Sequence, residues 1–207
     1  MKFLKLLPIL CGCVAAVSFT SCNPDDEPKN LTPEQKKTAF MAVKGSYSGD
    51  FIYLDPKSAN KPDKTDTVSV SWEIDTDSTL TIKNFPAAPL AAHITDAKLA
   101  EAMAAQPAQP LKCRIGFYSV TPVGFLINPI SAEYQVTYNG GSHKVQVGFY
   151  VNNPYSYGAY NSMSKQMKMQ IVVGGIFLDG KFQKTLLKKA VPFGIETKKP
   201  TEKKPKK

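Results

Sequence analysis

The sequence is poor in the side chains and motifs with which enzymes usually do chemistry. Its two histidines, His93 and His143, do not stand at the spacing of a zinc-binding pair. It has no Gly-x-Ser-x-Gly segment that would present a nucleophilic serine, and no glycine-rich loop that would hold a phosphate. This scarcity predicts a protein that is not an enzyme and that uses no cofactor and no metal. A hydrolase without a recognisable motif is the distant alternative.

Cysteine is scarce as well, with four residues in the chain. Cys11 and Cys13 lie in an N-terminal apolar segment that we expect to be removed, and Cys22 follows directly after that segment. Cys113 is then the one cysteine left in the body, so no disulfide within the chain is expected. The fold therefore has to be held together by packing.

The sequence also lacks an apolar run long enough to cross a membrane as a helix. The N-terminal run, residues 6–17, spans about 12 residues, whereas a membrane-spanning helix needs roughly 20. Lys2 and Lys5 precede it, and small residues follow it. A basic start, a short apolar stretch and a small-residue cleavage site predict a secretory signal peptide over residues 1–21.

The residues at the expected cleavage site, Thr20, Ser21 and Cys22, resemble the lipobox of Bacteroidota-type lipoproteins. The resemblance implies that acyl chains such as palmitate anchor Cys22 to a membrane and that residues 22–31 form a tether. The alternative is an ordinary signal peptide that leaves Cys22 as a thiol. The acidic residues 25–27 resemble an export signal, which implies an outer-membrane lipoprotein facing the cell surface. A periplasmic orientation and a simple solvated linker are the alternatives.

The formal net charge of +9 does not indicate nucleic-acid binding. Two of the lysines lie in the signal peptide, and six more lie in the last ten residues, 198–207. This tail has no apolar residue that could dock it, so we expect it to be disordered. The body between is close to neutral, and no nucleic-acid partner is predicted.

Hydrophobic periodicity predicts one β-rich domain over residues 32–197. A helix is expected from the Thr32 cap to Gly45, and a second from the Thr95 cap, with Leu99 and Met103 on one face. Apolar and polar residues alternate with a period of two through most of the remaining sequence, separated by turns at hairpin spacing. Eight to ten strands with no parallel βαβ pattern predict an all-β fold with two short helices, either an antiparallel barrel or a sandwich.

The helix followed by Gly45-Ser46-Tyr47-Ser48-Gly49-Asp50-Phe51 resembles the start of calycin-like, lipocalin-type barrels found among Bacteroidota lipoproteins. The layout also resembles lipoprotein families of unknown function from the same bacteria. The resemblance implies that the barrel interior could take a small amphiphile. The alternative is an interior filled by side chains.

A tyrosine-rich stretch between two predicted strands is the candidate recognition site. Residues 152–164 are expected to form a long loop, and tyrosine and asparagine supply flat apolar area together with hydrogen-bonding groups. The predicted ligand-binding residues are Asn152, Asn153, Tyr155, Tyr157 and Tyr160. The expected function is a non-catalytic binding module for a glycan or small amphiphile. The alternatives are an accessory envelope protein with a protein partner, and tyrosines that only pack back onto the sheet.

Two short stretches, Asp66-Thr67-Val68 and Asp77-Ser78-Thr79, resemble acceptor sites of Bacteroidota O-glycosylation. The resemblance implies a glycan on Thr67 or on Ser78. The sequence does not decide whether either site is modified.

Overall fold

The computed structural model describes residues 30–55 and 64–198. The predicted signal peptide, Cys22, most of the tether and the tail after residue 198 lie outside the described residues. Within them the helices and strands follow in this order: α1 Pro33–Val43, β1 Gly45–Leu54, β2 Thr65–Thr76, β3 Thr79–Phe85, α2 Ala87–Ala91, α3 Ala97–Ala104, β4 Gln109–Val120, β5 Val123–Pro129, β6 Ala132–Tyr138, β7 Gly141–Phe149, β8 Tyr157–Asn161, β9 Gln166–Leu178, β10 Lys181–Phe182 and β11 Val191–Thr197.

Eight of the strands close into an antiparallel barrel. Going round it, β1, β2, β3, β4, β5, β8, β9 and β11 each pair with the next, and β11 pairs back with β1. The chain therefore runs up and down around the barrel, and closure leaves no free edge among these eight strands. The prediction of an all-β fold with short helices is confirmed, and the barrel rather than the sandwich is the architecture.

The period-two pattern of β2 shows why these residues form the barrel wall. Val70, Trp72 and Ile74 are buried, while Ser71 and Glu73 between them lie on the outer, half-buried face. Successive side chains of a strand point to opposite faces, so the alternation turns one face to the core and the other to solvent. The same alternation holds in β4, as the sequence predicts.

Helix α1 closes one end of the barrel. Thr32 and Gln35 form the predicted capping box, in which the Gln35 N–H donates to Thr32 Oγ1 at 3.2 Å and the Thr32 N–H donates to Gln35 Oε1 at 2.8 Å. The helix packs against β4 and β5 with Ala39 and Val43 fully buried. Tyr47 on β1 donates its hydroxyl to the Val43 carbonyl at 2.7 Å, which fixes the helix to the barrel.

The opposite end is covered by the β6–β7 hairpin, α2 and α3. The hairpin pairs with the C-terminal half of β9, and α3 packs against β6 with Leu99 and Met103 buried. Helix α2 was not predicted, so the described residues hold three short helices rather than two. The predicted cap of α3 was wrong by one residue, because Asp96 accepts the Leu99 N–H while the Thr95 hydroxyl donates to the carbonyl of Thr185.

Two carboxyl groups at this covered end have pKa values below their usual range. The Leu99 backbone N–H is the main cause for Asp96, and the Tyr138 hydroxyl, 2.7 Å from Asp96 Oδ2, adds to it. For Asp179 in the β9–β10 turn, the main cause is the hydrogen bond with His143, whose Nδ1 lies 2.7 Å from Asp179 Oδ2. Both carboxylates tie the hairpin region together in their ionised form.

We therefore expect the free energy of unfolding to decrease below about pH 5. The pKa of each carboxyl is lower in the folded chain than in the unfolded chain, where it is about 3.9. The stabilisation is complete at neutral pH and is lost as the pH falls through the folded-state pKa values, because the unfolded state then binds more protons. Urea unfolding at a series of pH values measures the effect, and Asp179→Asn should make the acid decrease shallower. An acid decrease identical in wild type and Asp179→Asn would contradict this account.

Candidate functional site

The predicted tyrosine-rich loop connects two strands, β7 and β8, that pair one after the other with the same edge of β9. Strand β7 pairs with β9 from Leu178 to Val173, and β8 pairs with the same edge of β9 from Gln170 to Gln166. The seven residues between them, 150–156, loop out of the ladder, and we call them the tyrosine loop. The sequence-based prediction of one loop over 152–164 was wrong at this point, since β8 lies inside that range.

Hydrogen bonds close the neck of the tyrosine loop and hold it on the outer face of β9. The Tyr150 N–H donates to the Val172 carbonyl at 2.9 Å, and the Ser156 hydroxyl donates to the Tyr150 carbonyl at 3.1 Å. Gln170, a polar residue only 3% exposed, donates from Nε2 to the Tyr155 carbonyl at 2.8 Å. A buried amide needs such a partner, so the loop is a fixed part of the wall and covers β9 from outside.

The two predicted asparagines shape the loop from within. Asn152 has a positive φ of 50°, and its N–H donates to Asn128 Oδ1 at 2.6 Å while its own Oδ1 accepts from Asn128 Nδ2 at 2.9 Å. Asn153 Oδ1 accepts the Tyr155 N–H at 2.9 Å. Within the described residues, the side-chain NH₂ groups of Asn152 and Asn153 have no protein acceptor. In each asparagine the side-chain oxygen therefore accepts a hydrogen bond within the protein, and the NH₂ group leaves two N–H donors for a ligand.

The structure separates the three predicted tyrosines. Tyr155 is 51% exposed in the tyrosine loop, and Tyr157 stands on the outer face of β8. Tyr160 lies opposite Val123 and Met167, both buried, and packs against the core at the α1 end. The exposed rings are thus Tyr155 and, partly, Tyr157, whereas Tyr160 faces inward.

Two exposed apolar residues of the same loop were not among the predicted site residues. Tyr150 is 38% exposed and Val151 is 50% exposed. The Tyr150 ring lies against Gly174, where a Cβ atom would come within 2.6 Å of the ring. Their sequence signal is two apolar residues directly after Phe149, the last paired residue of β7, and such a pattern fits a continued strand as well as a loop.

Side chains pack closely in the middle of the barrel interior. Phe51, Phe85 and Phe193 are 0% exposed, and their ring centroids lie 5.0 to 6.4 Å apart. Leu80 and Ile82 beside them are also 0% exposed. A cavity large enough for a water molecule would leave accessible surface on its lining, so these residues border no such space.

The end of the barrel under α1 is closed in the same way. Tyr47 stacks on Trp72 with ring centroids 5.7 Å apart, and Trp72 Nε1–H donates to Met167 Sδ at 3.3 Å. Burial raises the pKa of Tyr47 to about 12. This hydroxyl stays protonated and serves as the donor that holds α1.

The reactive side chains of the described residues are dispersed. Burial raises the pKa of the Cys113 thiol far above its ordinary value, which leaves it unreactive. Burial also lowers the pKa of His93, whose ring lies 6.3 Å from that of Phe193. No group of three or more His, Cys, Asp or Glu that could hold a metal ion occurs in the part of the chain that the structure describes.

The two possible glycosylation sites are both at the surface. Thr67 lies in the exposed part of β2, and Ser78 lies in the exposed β2–β3 turn. Their modification stays a prediction.

These features define a class of small up-and-down β-barrel proteins whose interior is packed and whose surface carries an ordered aromatic loop. The chain belongs to the family described as a domain of unknown function, DUF4840, whose model matches residues 42–178. No curated protein and no solved structure was found to match the chain. The matched range extends from the end of α1 to the end of β9 and includes the tyrosine loop. Among the described helices, none has the length and apolar character needed to cross a membrane.

Proposed function

We propose that the protein is a lipid-anchored envelope protein whose barrel acts as a non-catalytic binding module for a glycan. The observation that carries the proposal is the tyrosine loop, which presents the half-exposed Tyr155 on a fixed backbone while the barrel interior is filled. A small amphiphile would need interior space, whereas a glycan needs a surface.

The chemistry of the loop suits sugar rings. A tyrosine ring offers a flat apolar face for stacking and loses little conformational entropy when it binds. The side-chain NH₂ groups of Asn152 and Asn153 can donate to sugar hydroxyls. Because the loop is already held by Gln170, Ser156 and Asn128, little ordering is left to oppose binding.

The anchor is the second part of the proposal. Cys22 would carry the acyl chains, and the tether would place the barrel outside the outer membrane, facing the cell surface. The matching α1–β1 segment supports a distant relationship to calycin-like barrels, because Gly45 to Phe51 opens an eight-strand up-and-down barrel here as well.

A binding screen with the body of the protein, residues 30–207, tests the glycan proposal. This fragment contains every residue of the core cluster. A ligand at 100 times its Kd should add about 2.7 kcal/mol to the free energy of unfolding, which a thermal shift detects. For a glycan found in this way, we expect Tyr155→Ala to weaken binding about tenfold, in line with the roughly 1 kcal/mol or more that an aromatic contact contributes.

Met163→Ala is the matched control, because Met163 is an apolar residue 92% exposed in the neighbouring β8–β9 turn. It should leave the affinity unchanged. Equal affinity of wild type and Tyr155→Ala for the glycan would remove the tyrosine loop from the binding site. Fatty acids belong in the same screen, and a fatty acid hit would speak against a filled interior.

A protein partner is the second candidate, and Val151 favours it. This aliphatic side chain is 50% exposed beside Tyr150 and adds apolar area that a sugar does not need. A protein partner would lose affinity with Val151→Asp, whereas a glycan stacked on Tyr155 would be little affected.

A further inference from the structure

The outer wall of the barrel beside the tyrosine loop carries a second set of exposed groups. In β4 the side chains of Cys113, Ile115 and Phe117 are buried inside, so the residues between them point outward. The register places Arg114 of β4 opposite Asn128 of β5, and Gly116 opposite Leu126.

Strand β8 adds a third residue to these cross-strand pairs of β4 and β5. Leu126 of β5 lies opposite Tyr157 of β8, so Gly116, Leu126 and Tyr157 form one row across three strands. Neighbouring strands are about 4.8 Å apart, so the row is roughly 10 Å wide. The middle of the wall is therefore lined by a glycine, a half-buried leucine and a tyrosine.

Tyr118 extends the aromatic surface of this wall. It is 53% exposed, and its ring lies directly on Gly124, where a Cβ atom would come within 2.6 Å of it. Gly124 is opposite Ala159, which stands two residues from Tyr157 on the same face of β8. The ring of Tyr118 therefore lies about one row, roughly 7 Å, from the row of Tyr157.

Gly116 leaves an open notch between these groups. A Cβ atom built at Gly116 would have no heavy atom within 4 Å, in contrast to the crowded Gly124. The notch lies between Arg114 and Tyr118 along the strand. The space on the outer face at Gly116 is open, whereas the neighbouring outward residues of β4, Arg114 and Tyr118, carry large side chains.

The charge of the wall is of one sign. Lys112 and Arg114 are exposed on β4, and the outward residues of β4, β5 and β8 include no carboxylate. Arg114 forms no ion pair with any described carboxylate, whereas Lys83 and Lys144 each pair with a glutamate at 2.9 Å or less. An exposed guanidinium that pairs with no carboxylate of the described residues can pair with an external anion.

The wall and the tyrosine loop form one continuous surface. Asn128, opposite Arg114, exchanges two hydrogen bonds with Asn152 of the loop. Arg114 therefore lies opposite the residue that holds Asn152, one of the two asparagines that the proposed function uses.

We propose that the glycan bound at this surface is acidic, and that Arg114 pairs with a carboxylate on one of its sugar rings while Tyr118 and Tyr157 contact the rings. The inference rests on the proposed glycan binding and adds the ligand class to it. The planar guanidinium matches a carboxylate with two parallel hydrogen bonds, which a neutral sugar cannot provide. The notch at Gly116 admits the sugar ring between the cation and the aromatic side chains.

A matched pair of ligands tests the charge requirement. An oligosaccharide of galacturonic acid and its methyl-esterified form have the same backbone, and only the first carries carboxylates. With the full chain in detergent micelles, titration calorimetry at low salt should show the acid form binding at least tenfold more tightly than the ester. Arg114→Gln should remove this preference. Lys112→Gln, which changes the net charge equally on the same strand, should retain most of it.

A second variant tests the notch without disturbing the fold. Gly116→Val adds a side chain in open space at an ordinary strand position, so the melting temperature should not fall, while binding of the acid form should weaken at least tenfold. Equal affinity for acid and ester, a preference that survives Arg114→Gln, or full binding by Gly116→Val would each overturn the inference and leave glycan binding in place. If no glycan of any kind binds, acidic or neutral, the proposed function fails together with the inference.

Discussion

Gly49→Ala should separate β1 from β11, the two strands whose pairing closes the barrel and which we call the closing seam. We expect the substitution to destabilise the protein by several kcal/mol. Gly49 of β1 pairs with Thr197 of β11, and a Cβ atom at Gly49 would lie 1.9 Å from the carbonyl oxygen of Glu196. The clash is with backbone, which cannot rotate away as a flexible side chain can. Relief requires separating the two strands that join the first part of the barrel to the last, so the cost lies at the upper end for single substitutions, about 3–5 kcal/mol.

Chemical unfolding of Gly49→Ala and Gly116→Ala side by side measures this effect. Both positions are strand glycines, but Gly116 has no neighbour within 4 Å of its missing Cβ atom. Gly116→Ala should therefore be neutral or stabilising by about 0.4–1 kcal/mol, because alanine restricts the unfolded chain more than glycine does. Wild-type stability in Gly49→Ala would mean that β1 and β11 do not meet as closely as the register implies.

Cys22→Ala should move the protein from the membrane fraction to the soluble fraction. Two or three acyl chains, at about 0.8 kcal/mol for each buried CH₂ group, anchor a protein durably, and the variant has no residue on which to carry them. Cell fractionation with an antibody against the barrel, together with metabolic labelling by a palmitate analogue, measures both consequences.

Cys113→Ala is the matched control for the anchor. Cys113 is buried in β4 and its thiol is unreactive, so this variant should stay in the membrane fraction and keep its label. If wild-type protein takes up no label, or if Cys22→Ala stays in the membrane, the lipid anchor is ruled out and the resemblance of residues 20–22 to a lipobox is accidental.

Local patterns were enough to predict most of the strands and the first helix. The alternation around Trp72 and the turn at Asn139-Gly140-Gly141 predict β2 and the β6–β7 hairpin, and Thr32 with Gln35 predicts α1. In each case the deciding interaction lies within a few residues of sequence. Such patterns depend on neighbouring residues only, so the contacts made by distant parts of the chain do not alter the elements that they predict.

The rest of the fold depends on contacts between distant residues. Tyr157–Asn161 has no alternating apolar pattern, and Gly158 is a glycine because the ring of Phe125 occupies the place of its side chain. Helix α2 contains Pro89, a residue that is unfavourable inside a helix, so its sequence does not predict one. The outer wall was missed for the same reason, because only the register brings Arg114 beside Asn128 and the tyrosine loop.

The closing seam also sets the order in which the molecule can be made. Because Gly49 near the start of the barrel pairs with Thr197 near its end, no closed barrel exists until almost the whole domain has been synthesised. Pairing of such distant segments slows folding, since the loop must be closed before the contacts stabilise it. A nascent chain of this kind stays open for as long as its last strand is missing.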